Sequence, residues 1–585
     1  LFPLALCGSL ETGFLGEIRF LEEGFMAVNE LGSVRRIPAV GLPLKHKKFN
    51  RWQWSPFQMM LVGSALFLAG LILLTPAYLL LRTMTGWEKA AETLARPQTW
   101  QVLGNTVGLA AAVTVATAVL AVPLAWLTTC TDLPGKRAWA VLAALPLVIP
   151  SYVAAFVFAS MFTPRGLLQQ LLYPVLGLER LPNLYGFPGA FYVLTVISYP
   201  FTFLTVRAAL KRMDPALVEA ARSLGLSPWR AFFRVTLPYL RPSILAGSLL
   251  VALYVLRDFG VVTTLQFSTF TRIIYNRYTA YQLDAAAALA LVLVAVTAVI
   301  LYFEQKSRGR ARYERISIGV ARQVRPVRLG WWKFPALLYV GGVVFAALVG
   351  PTSGLLYWFW RGWQQDFGIK DLSGQSNLGS LLDLIEPAGN SLFASLAGAL
   401  LTMALALPIA ILVVRRPGRL SQLFEKLTYA SFALPGLVVA LAFVFFGVHY
   451  AHSLYQTLPL LLFAYVILFV PQAVGAQRAS LLQAPRNLEE AGRSLGKRPF
   501  TIFRTVTLPL VKPGMLAGAA LVFLTCMKEL PATLILSPIG FNTLSAQVWA
   551  SISEAFFARA AAPALLLLLL SSLPLAWMTM REREG

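Results

Sequence analysis

Charged side chains are scarce in this chain. They make up 13% of its 585 residues, against about 25% in an ordinary soluble domain. Acidic groups are the scarcer sign, 26 Asp and Glu against 50 Lys and Arg. Water alone does not solvate the surface of such a polypeptide. Cysteine and histidine are also nearly missing. The 3 cysteines, Cys7, Cys130 and Cys526, lie far apart with no CxxC, which excludes a disulfide framework or a metal knuckle. The 3 histidines, His46, His449 and His452, fit no metal-ligand spacing, and no Ser/His/Asp or Cys/His arrangement occurs. No metal site and no catalytic residue is therefore expected. A G-x-x-x-x-G-K-[ST] loop is absent as well, so the chain does not cradle nucleotide phosphates itself.

What the chain has in abundance is apolar length: 57% of its residues are hydrophobic. The apolar runs are each about 20 residues long, enough for a helix to cross ~30 Å of hydrocarbon. They lack the short alternation of barrel strands. A helix satisfies its own backbone in lipid, so the expected fold is all-α and polytopic, with about 12 transmembrane helices. Six are expected near 57–81, 103–127, 138–162, 189–209, 244–265 and 283–303, and six near 334–358, 389–414, 427–448, 459–476, 514–536 and 559–580.

The net charge of +24 would suggest nucleic acid in a soluble protein. Here the cations sit between the apolar runs, so the positive-inside bias explains them and no nucleic-acid partner is implied. Arg35, Arg36, Lys45, Lys47, Lys48 and Arg51 precede the first span. Lys136 and Arg137 follow the second, and seven cations from Arg207 to Arg241 follow the fourth. The second half repeats the arrangement with Arg415, Arg416, Arg419 and Lys426, and then with the basic stretch 478–512. The alternate loops 449–458 and 537–558 contain neither Lys nor Arg. Both termini are therefore expected on the cytoplasmic side. The reading divides the chain into an N-terminal cytoplasmic tail (1–56), a first transmembrane domain (57–305), a basic cytoplasmic linker along the membrane surface (306–333) and a second transmembrane domain (334–585). The tail does not read as a signal peptide, since no basic region precedes its apolar stretch, and Met26 is a candidate start.

The two halves repeat each other. Gly104-Asn105-Thr106 recurs as Gly389-Asn390-Ser391, a shift of 285 residues (389 − 104) that Pro123/Pro408 and Ile149-Pro150/Leu434-Pro435 share. Later matches shift by 271 (490 − 219), which assigns 14 extra residues (285 − 271) to the first half, in the outer loop around 163–188. Equivalent loops are basic in both halves, so the repeats are parallel. The longest match is EAARSLGLSPWRAFFRVTLP (219–238) with EAGRSLGKRPFTIFRTVTLP (490–509), ungapped. Each copy reads as a short helix, a turn and a second helix. Gly225 and Gly496 suit a left-handed helix end, Pro228 and Pro499 the first turn of the next helix, and Pro238 and Pro509 its end before the following span. A bare amphipathic connector is the plainer alternative, but two ungapped copies in equivalent loops argue against it.

This duplicated pattern resembles the EAA loop of ATP-binding-cassette importer permeases. The first copy supplies Glu219, Ala220, Ala221, Gly225, Val235, Leu237 and Pro238. The second supplies Glu490, Ala491, Gly492, Gly496, Val506, Leu508 and Pro509, with Gly492 in place of the usual second Ala. The resemblance covers about 100–303 and 385–580 and leaves out 1–56. It implies a type I importer-like permease, two domains fused head to tail, in a bacterial inner membrane. It implies as partners a cytoplasmic ATPase in two copies, docked at these loops, and an extracytoplasmic binding protein. ATP and magnesium would sit on the ATPase, with no cofactor on this chain. Leu372-Ser373-Gly374-Gln375 shares a few letters with the ATPase signature but lacks the full motif and falls in an outer loop.

The fifth span of each half carries adjacent opposite charges, Arg257-Asp258 and Lys528-Glu529, again at the 271 shift. Ionisable groups inside a span face a partner or a water-filled path. They are candidates for a translocation pathway or gate. The alternative is a pair of structural salt bridges, Arg257 to Glu529 and Lys528 to Asp258. The stretch 528–549, KELPATLILSPIGFNTLSAQVW, resembles the ferric-iron branch of these permeases, which implies ferric iron as the cargo. Thiamine, phosphonate and other small-solute permeases share the fused layout. A secondary transporter would also show parallel repeats and buried charge, but it has no ATPase for two EAA loops to dock.

Overall fold

A computed structural model describes residues 56–163, 166–177, 183–307, 326–365 and 383–584. The proposed tail, most of the linker and the Leu372–Gln375 stretch lie outside the described residues. Among the described residues the chain is helical throughout. The one β-type contact is an isolated bridge between Thr131 and Val327. Eleven helices among them are long and apolar enough to cross a membrane. Arg419–Ala433 and Gly436–Tyr450 are together long and apolar enough for one more, as a pair bent by 106° at the break.

Each half is built around one buried helix, Phe187–Arg212 in the first and Leu458–Gln483 in the second. Tyr199 and Tyr465 are fully buried along them. The second span, Pro97–Cys130, and the fifth, Leu237–Arg257, pack on the first of these helices. Ile385–Arg415 and Leu508–Met527 pack on the other. Small residues allow the approach. A methyl group at Gly247 would lie 2.6 Å from Thr202 Cα, and one at the equivalent Gly518 would lie 2.6 Å from Ala476 Cβ. In lipid, where apolar burial gives no drive to associate, such contact is what holds helices together.

The first helix of each half packs on its own half at one end and reaches into the other half along the rest, as Arg82 of Pro56–Thr85 pairs with Asp284 of the sixth span at 2.7 Å. Leu61, Ala65, Leu68, Ala69 and Ile72 of Pro56–Thr85 are buried in a cluster with Met403, Ile409, Phe443 and Tyr465. Reciprocally, Val340, Val343 and Val344 of the seventh span join the core of the first half. There Tyr339 Oη donates to the Leu120 carbonyl at 2.7 Å, and Trp358 Nε1 donates to Ser160 Oγ at 2.8 Å.

The expected third and ninth spans are not continuous. Lys136–Leu142 gives way to a 3-10 turn, Leu145–Val148, and the helix restarts at Ser151–Phe162. In the second half Arg419–Ala430 and Ser431–Ala433 precede Gly436–Tyr450. The repeated Ile149-Pro150 and Leu434-Pro435 are the breaks themselves. A residue before proline is forced to extended backbone, and Ile149 (ψ 122°) and Leu434 (ψ 112°) adopt it. The fifth spans also stop early, at Arg257 and Met527, where continuous helices to 265 and 536 are expected. Part of the extra loop of the first half, around 163–188, folds as the helix Leu167–Leu176.

The end of the linker is strapped to the end of the second span. Val327 N donates to the Cys130 carbonyl at 2.8 Å, and Asp132 N donates to the Val327 carbonyl at 3.1 Å. The Asp132 carboxylate takes the Leu329 amide at 2.8 Å and pairs with Lys333 at 2.9 Å. The Lys333 ammonium, and after it the Leu329 amide, hold the Asp132 carboxyl below its ordinary range. Trp331, Trp332 and Phe334 beside the strap are exposed, as interfacial aromatics are.

A carboxylate with a depressed pKa stabilises its contacts above its unfolded pKa, about 3.9 for Asp. That stabilisation is lost as the pH falls from there through the folded value. A spin label at the exposed Arg328 should therefore be immobile at neutral pH and become mobile only below about pH 4. Asp132→Asn should give the mobile spectrum at neutral pH. A label mobile at every pH would contradict the strap.

Candidate functional site

The repeated loops 219–238 and 490–509 have the same local structure. Pro215–Ser223 ends at Gly225, φ 83°, and Arg486–Ser494 ends at Gly496, φ 72°. Leu226 N donates to the Ala221 carbonyl at 3.2 Å and Gly225 N to the Arg222 carbonyl at 3.0 Å. Lys497 and Gly496 make the same two bonds to Gly492 and Arg493, at 3.1 and 2.9 Å. This double-bonded helix end requires a left-handed residue, which is why glycine stands there. The short second helices begin at Pro228 and Pro499.

Pro238 and Pro509 do not end those helices. The chain passes through a π-helical turn, Phe232–Thr236 or Phe503–Thr507, directly into the fifth or eleventh span. A proline supplies no N–H and crowds the preceding turn. The wider π turn accommodates it without a stop. Each loop is thus a rigid extension of a membrane helix.

The tips of the loops are apolar and uncovered. Leu224 and Trp229 in the first copy, and their equivalents Leu495 and Phe500 in the second, are all exposed. Glu219, Ala220, Glu490 and Ala491 are exposed beside them. The replacement of Ala221 by Gly492 has a cause. A methyl group at Gly492 would lie 3.1 Å from Ile502 Cγ1, whereas the first loop has Ala231 at the position of Ile502. The loss of a methyl group at Gly492 makes room for the larger Ile502 side chain.

The paired charges lie at the breaks of the fifth and eleventh spans, not within a continuous helix. Each carboxylate caps the short helix that follows. Asp258 Oδ1 accepts from Val261 N at 2.8 Å, at the start of Gly260–Thr264. Glu529 Oε1 accepts from Ala532 N at 2.9 Å, at the start of Pro531–Leu536. Helix starts expose amides that hydrocarbon leaves unsatisfied, and these side chains take one in each half. The salt bridges expected from sequence are not formed. Among the described residues no ion pair joins Arg257 to Glu529 or Lys528 to Asp258. Lys528 Nζ instead crosses between halves to donate to the Leu147 carbonyl, in the broken third span. Arg257 senses the Glu529 charge at longer range.

The breaks of the third and fifth spans meet. Gly260 lies against Tyr152, where an added methyl would come 2.6 Å from Tyr152 Cβ. Ser151, the first residue of the restarted helix, stands beside the Asp258 carboxyl. In the second half the residue equivalent to Ser151 is Gly436, and a methyl there would lie 2.5 Å from Glu529 Oε1. The longer Glu thus takes the space that serine fills beside the shorter Asp. Above the breaks Phe259 packs between Tyr275 (4.8 Å) and Trp549 of the other half (5.1 Å), closing the interface with aromatic rings.

The repeated Gly-Asn-Thr/Ser motif supports the same region. Asn105 Nδ2 donates to the Ser268 carbonyl at 3.2 Å, and Asn390 Nδ2 donates to the Asn542 carbonyl at 3.0 Å. Thr106 and Ser391 accept from the amides of Phe270 and Leu544, at 3.1 and 2.8 Å. The repeat of the Asn-Thr/Ser pair at the 285 shift is a signal for these anchors. The Ser151/Gly436 exchange and the aromatic closure are not recognisable from spacing.

Gly436→Ser should overfill the second break and lower the melting temperature in detergent, by an amount equivalent to about 1–3 kcal/mol. Adding Glu529→Asp to it recreates the pairing of the first half and should recover most of the loss. An unchanged melting temperature for Gly436→Ser alone would refute the size-exchange account.

Comparison with known proteins fits this architecture. Residues 134–307 and 403–584 each match the family described as binding-protein-dependent transport system inner membrane component. The Fe(3+)-transport system permease protein FbpB 2 of Haemophilus influenzae is 36% identical over 523 residues, 89% of this chain and 97% of that protein. The ferric transport system permease protein FbpB of Actinobacillus pleuropneumoniae is 26% identical over 67% of this chain and 58% of that protein. The sulfate transport system permease protein CysT of Escherichia coli is 27% identical over 41% of this chain and 88% of its own length.

Proposed function

Because the chain belongs to the binding-protein-dependent transport system inner membrane components and is a permease of an ATP-binding-cassette importer, we propose that its cargo is ferric iron, that an extracytoplasmic binding protein delivers it, and that a separate cytoplasmic ATPase pair supplies the energy. The observation that carries the cargo is the 36% identity to a Fe(3+)-transport permease over 89% of the chain. The observation that supports the ATPase is the duplicated loop with its exposed apolar tip. Each tip is an uncovered apolar patch on a rigid helical extension, suited to a cleft on one ATPase subunit. Both termini and the linker are then cytoplasmic, on the side of these loops.

The charged breaks serve in this reading as the gate. A conducting path offers few and weak ligands, since tight coordination would trap the ion. Asp258 and Glu529 bring carboxylate oxygens, which a hard trivalent cation prefers. Each already spends one oxygen on a backbone amide, which keeps the remaining affinity modest. Lys528, bonded across to Leu147, holds the halves together at the same level.

Purified alone, the chain should hydrolyse no ATP. With its ATPase it should assemble one subunit under each loop. Gly225→Val and Gly496→Val force a β-branched side chain into φ 83° and 72°, at a cost of roughly 1–2 kcal/mol each. Insertion should survive, while ATPase stimulation and transport fall together. Normal transport in both variants would remove the loops from coupling.

Cargo and gate are tested by radio-iron uptake in cells that depend on this permease. Asp258→Asn and Glu529→Gln keep an acceptor oxygen for the Val261 and Ala532 amides, so they remove charge without removing the caps. Uptake should drop while assembly with the ATPase persists. Uptake equal to wild type would reduce the carboxylates to capping groups. Growth restored by thiamine and not by iron would reject the cargo.

A further inference from the structure

The two halves repeat each other closely at the membrane breaks and at the loop tips, but not at the bases of the loops. In the second half Glu489, in the coupling helix Arg486–Ser494, is held from two sides. Arg415, at the end of the eighth span, pairs with it at 2.8 Å, both side chains 11% exposed. Thr507, in the π turn leading into the eleventh span, donates to it at 3.1 Å. Arg415 also donates to the Ala484 carbonyl at 3.1 Å, and Arg486 reaches back to the Val414 carbonyl at 2.5 Å. The helix is therefore tied at its start to one span and through Glu489 to two.

In the first half the same positions carry other chemistry. At the repeat shifts, Arg415 corresponds to Cys130, Glu489 to Val218 and Arg486 to Pro215. Among the described residues no ion pair joins Pro215–Ser223 to the rest of the chain. The end of the second span has a different occupant. Where its counterpart, the end of the eighth span, holds the second coupling helix, the end of the second span holds the inter-half linker, through Cys130, Asp132 and Lys333.

We propose that the two coupling helices are mechanically unequal. The second is locked to the eighth span and moves with it as one body. Among the described residues the first has no such ion pair, because the linker has taken the surface that would supply it, and its base meets the second span through the Phe232–Trp126 ring contact at 5.9 Å. A buried, hydrogen-bonded ion pair resists separation far more than apolar contact does, since parting it strands both charges. An ATPase subunit docked on the second helix would pull directly on the eighth span. One docked on the first would act through its π turn and the apolar contact of Phe232 with Trp126. This rests on the reading that both loops dock an ATPase.

Hydrogen exchange on the intact permease, with and without its ATPase, tests the inequality directly. Without the ATPase, amides of 486–494 should exchange at least about tenfold more slowly than those of 215–223, the range that separates local opening from tied structure. Glu489→Gln should bring 486–494 close to the rate of 215–223. In the reconstituted transporter it should lower transport per ATP hydrolysed by about fivefold or more. Cys130→Ala, at the position matching Arg415, should change neither. The charge-reversed pair Arg415→Glu with Glu489→Arg should recover slow exchange and coupling. Equal exchange of the two helices in the wild-type chain overturns the proposal, and that comparison needs no variant to fold. So does unchanged exchange of 486–494 in Glu489→Gln. If the inequality is found but added ATPase protects neither loop, the docking reading fails and the mechanical difference stands.

Discussion

A helix that breaks inside a membrane exposes backbone amides and carbonyls that hydrocarbon does not satisfy. This chain breaks two helices in each half, and the rest of its centre follows from satisfying them. The breaks are set against one another, so that Asp258 and Glu529 cap the restarting helices. The hydroxyls of Thr271 and Ser545 bond the carbonyls of the same two residues, at 2.7 and 3.3 Å. Gly260 lets its backbone meet that of Tyr152, and Gly436 leaves room for the Glu529 carboxylate. Lys528 then spends its charge on a carbonyl freed by the opposite break. A carboxylate in this setting is first a backbone partner, and any role toward cargo is built on that one.

Much of this was legible in the sequence, at the level where chemistry repeats. The duplicated 219–238 and 490–509 segments announced both loops, and glycine at 225 and 496 announced the left-handed ends, because few other residues accept that backbone. The breaks were less legible. Apolar length counts the same whether a helix runs through or stops, so 138–162 and 427–448 read as plain spans although each contains an Ile-Pro or Leu-Pro step. The charges at 257–258 and 528–529 read as a pathway or gate, with ion pairs as the alternative, because sequence offers only side chains and cargo as partners. It does not show that a backbone opening stands beside each carboxylate. Pro238 and Pro509 misled in the other direction, since a π turn lets a helix carry a proline that an α-helix would reject.

The repeats also show how two copies of one design diverge without losing shape. Ala221 with Ala231 became Gly492 with Ile502, and Ser151 with Asp258 became Gly436 with Glu529. In each case one side of a contact grew as the other shrank, as interiors packed near crystal density demand. The same freedom was used differently at the loop bases. There a buried ion pair in one half faces cysteine and valine in the other, and the linker fills the difference.

The exchange of first helices imposes an order in time. Leu61 to Ile72 find their seat among residues such as Met403, Phe443 and Tyr465, more than 300 positions downstream. At ribosomal rates of about 5–20 residues per second, the first helix waits roughly 15–70 s in the bilayer before its binding surface exists. Its other end is engaged sooner, by Asp284 of the sixth span through Arg82, but the face that carries Ala65 and Ala69 stays without its final partner. Biogenesis of this chain therefore depends on keeping that face unengaged until most of the polypeptide has been made.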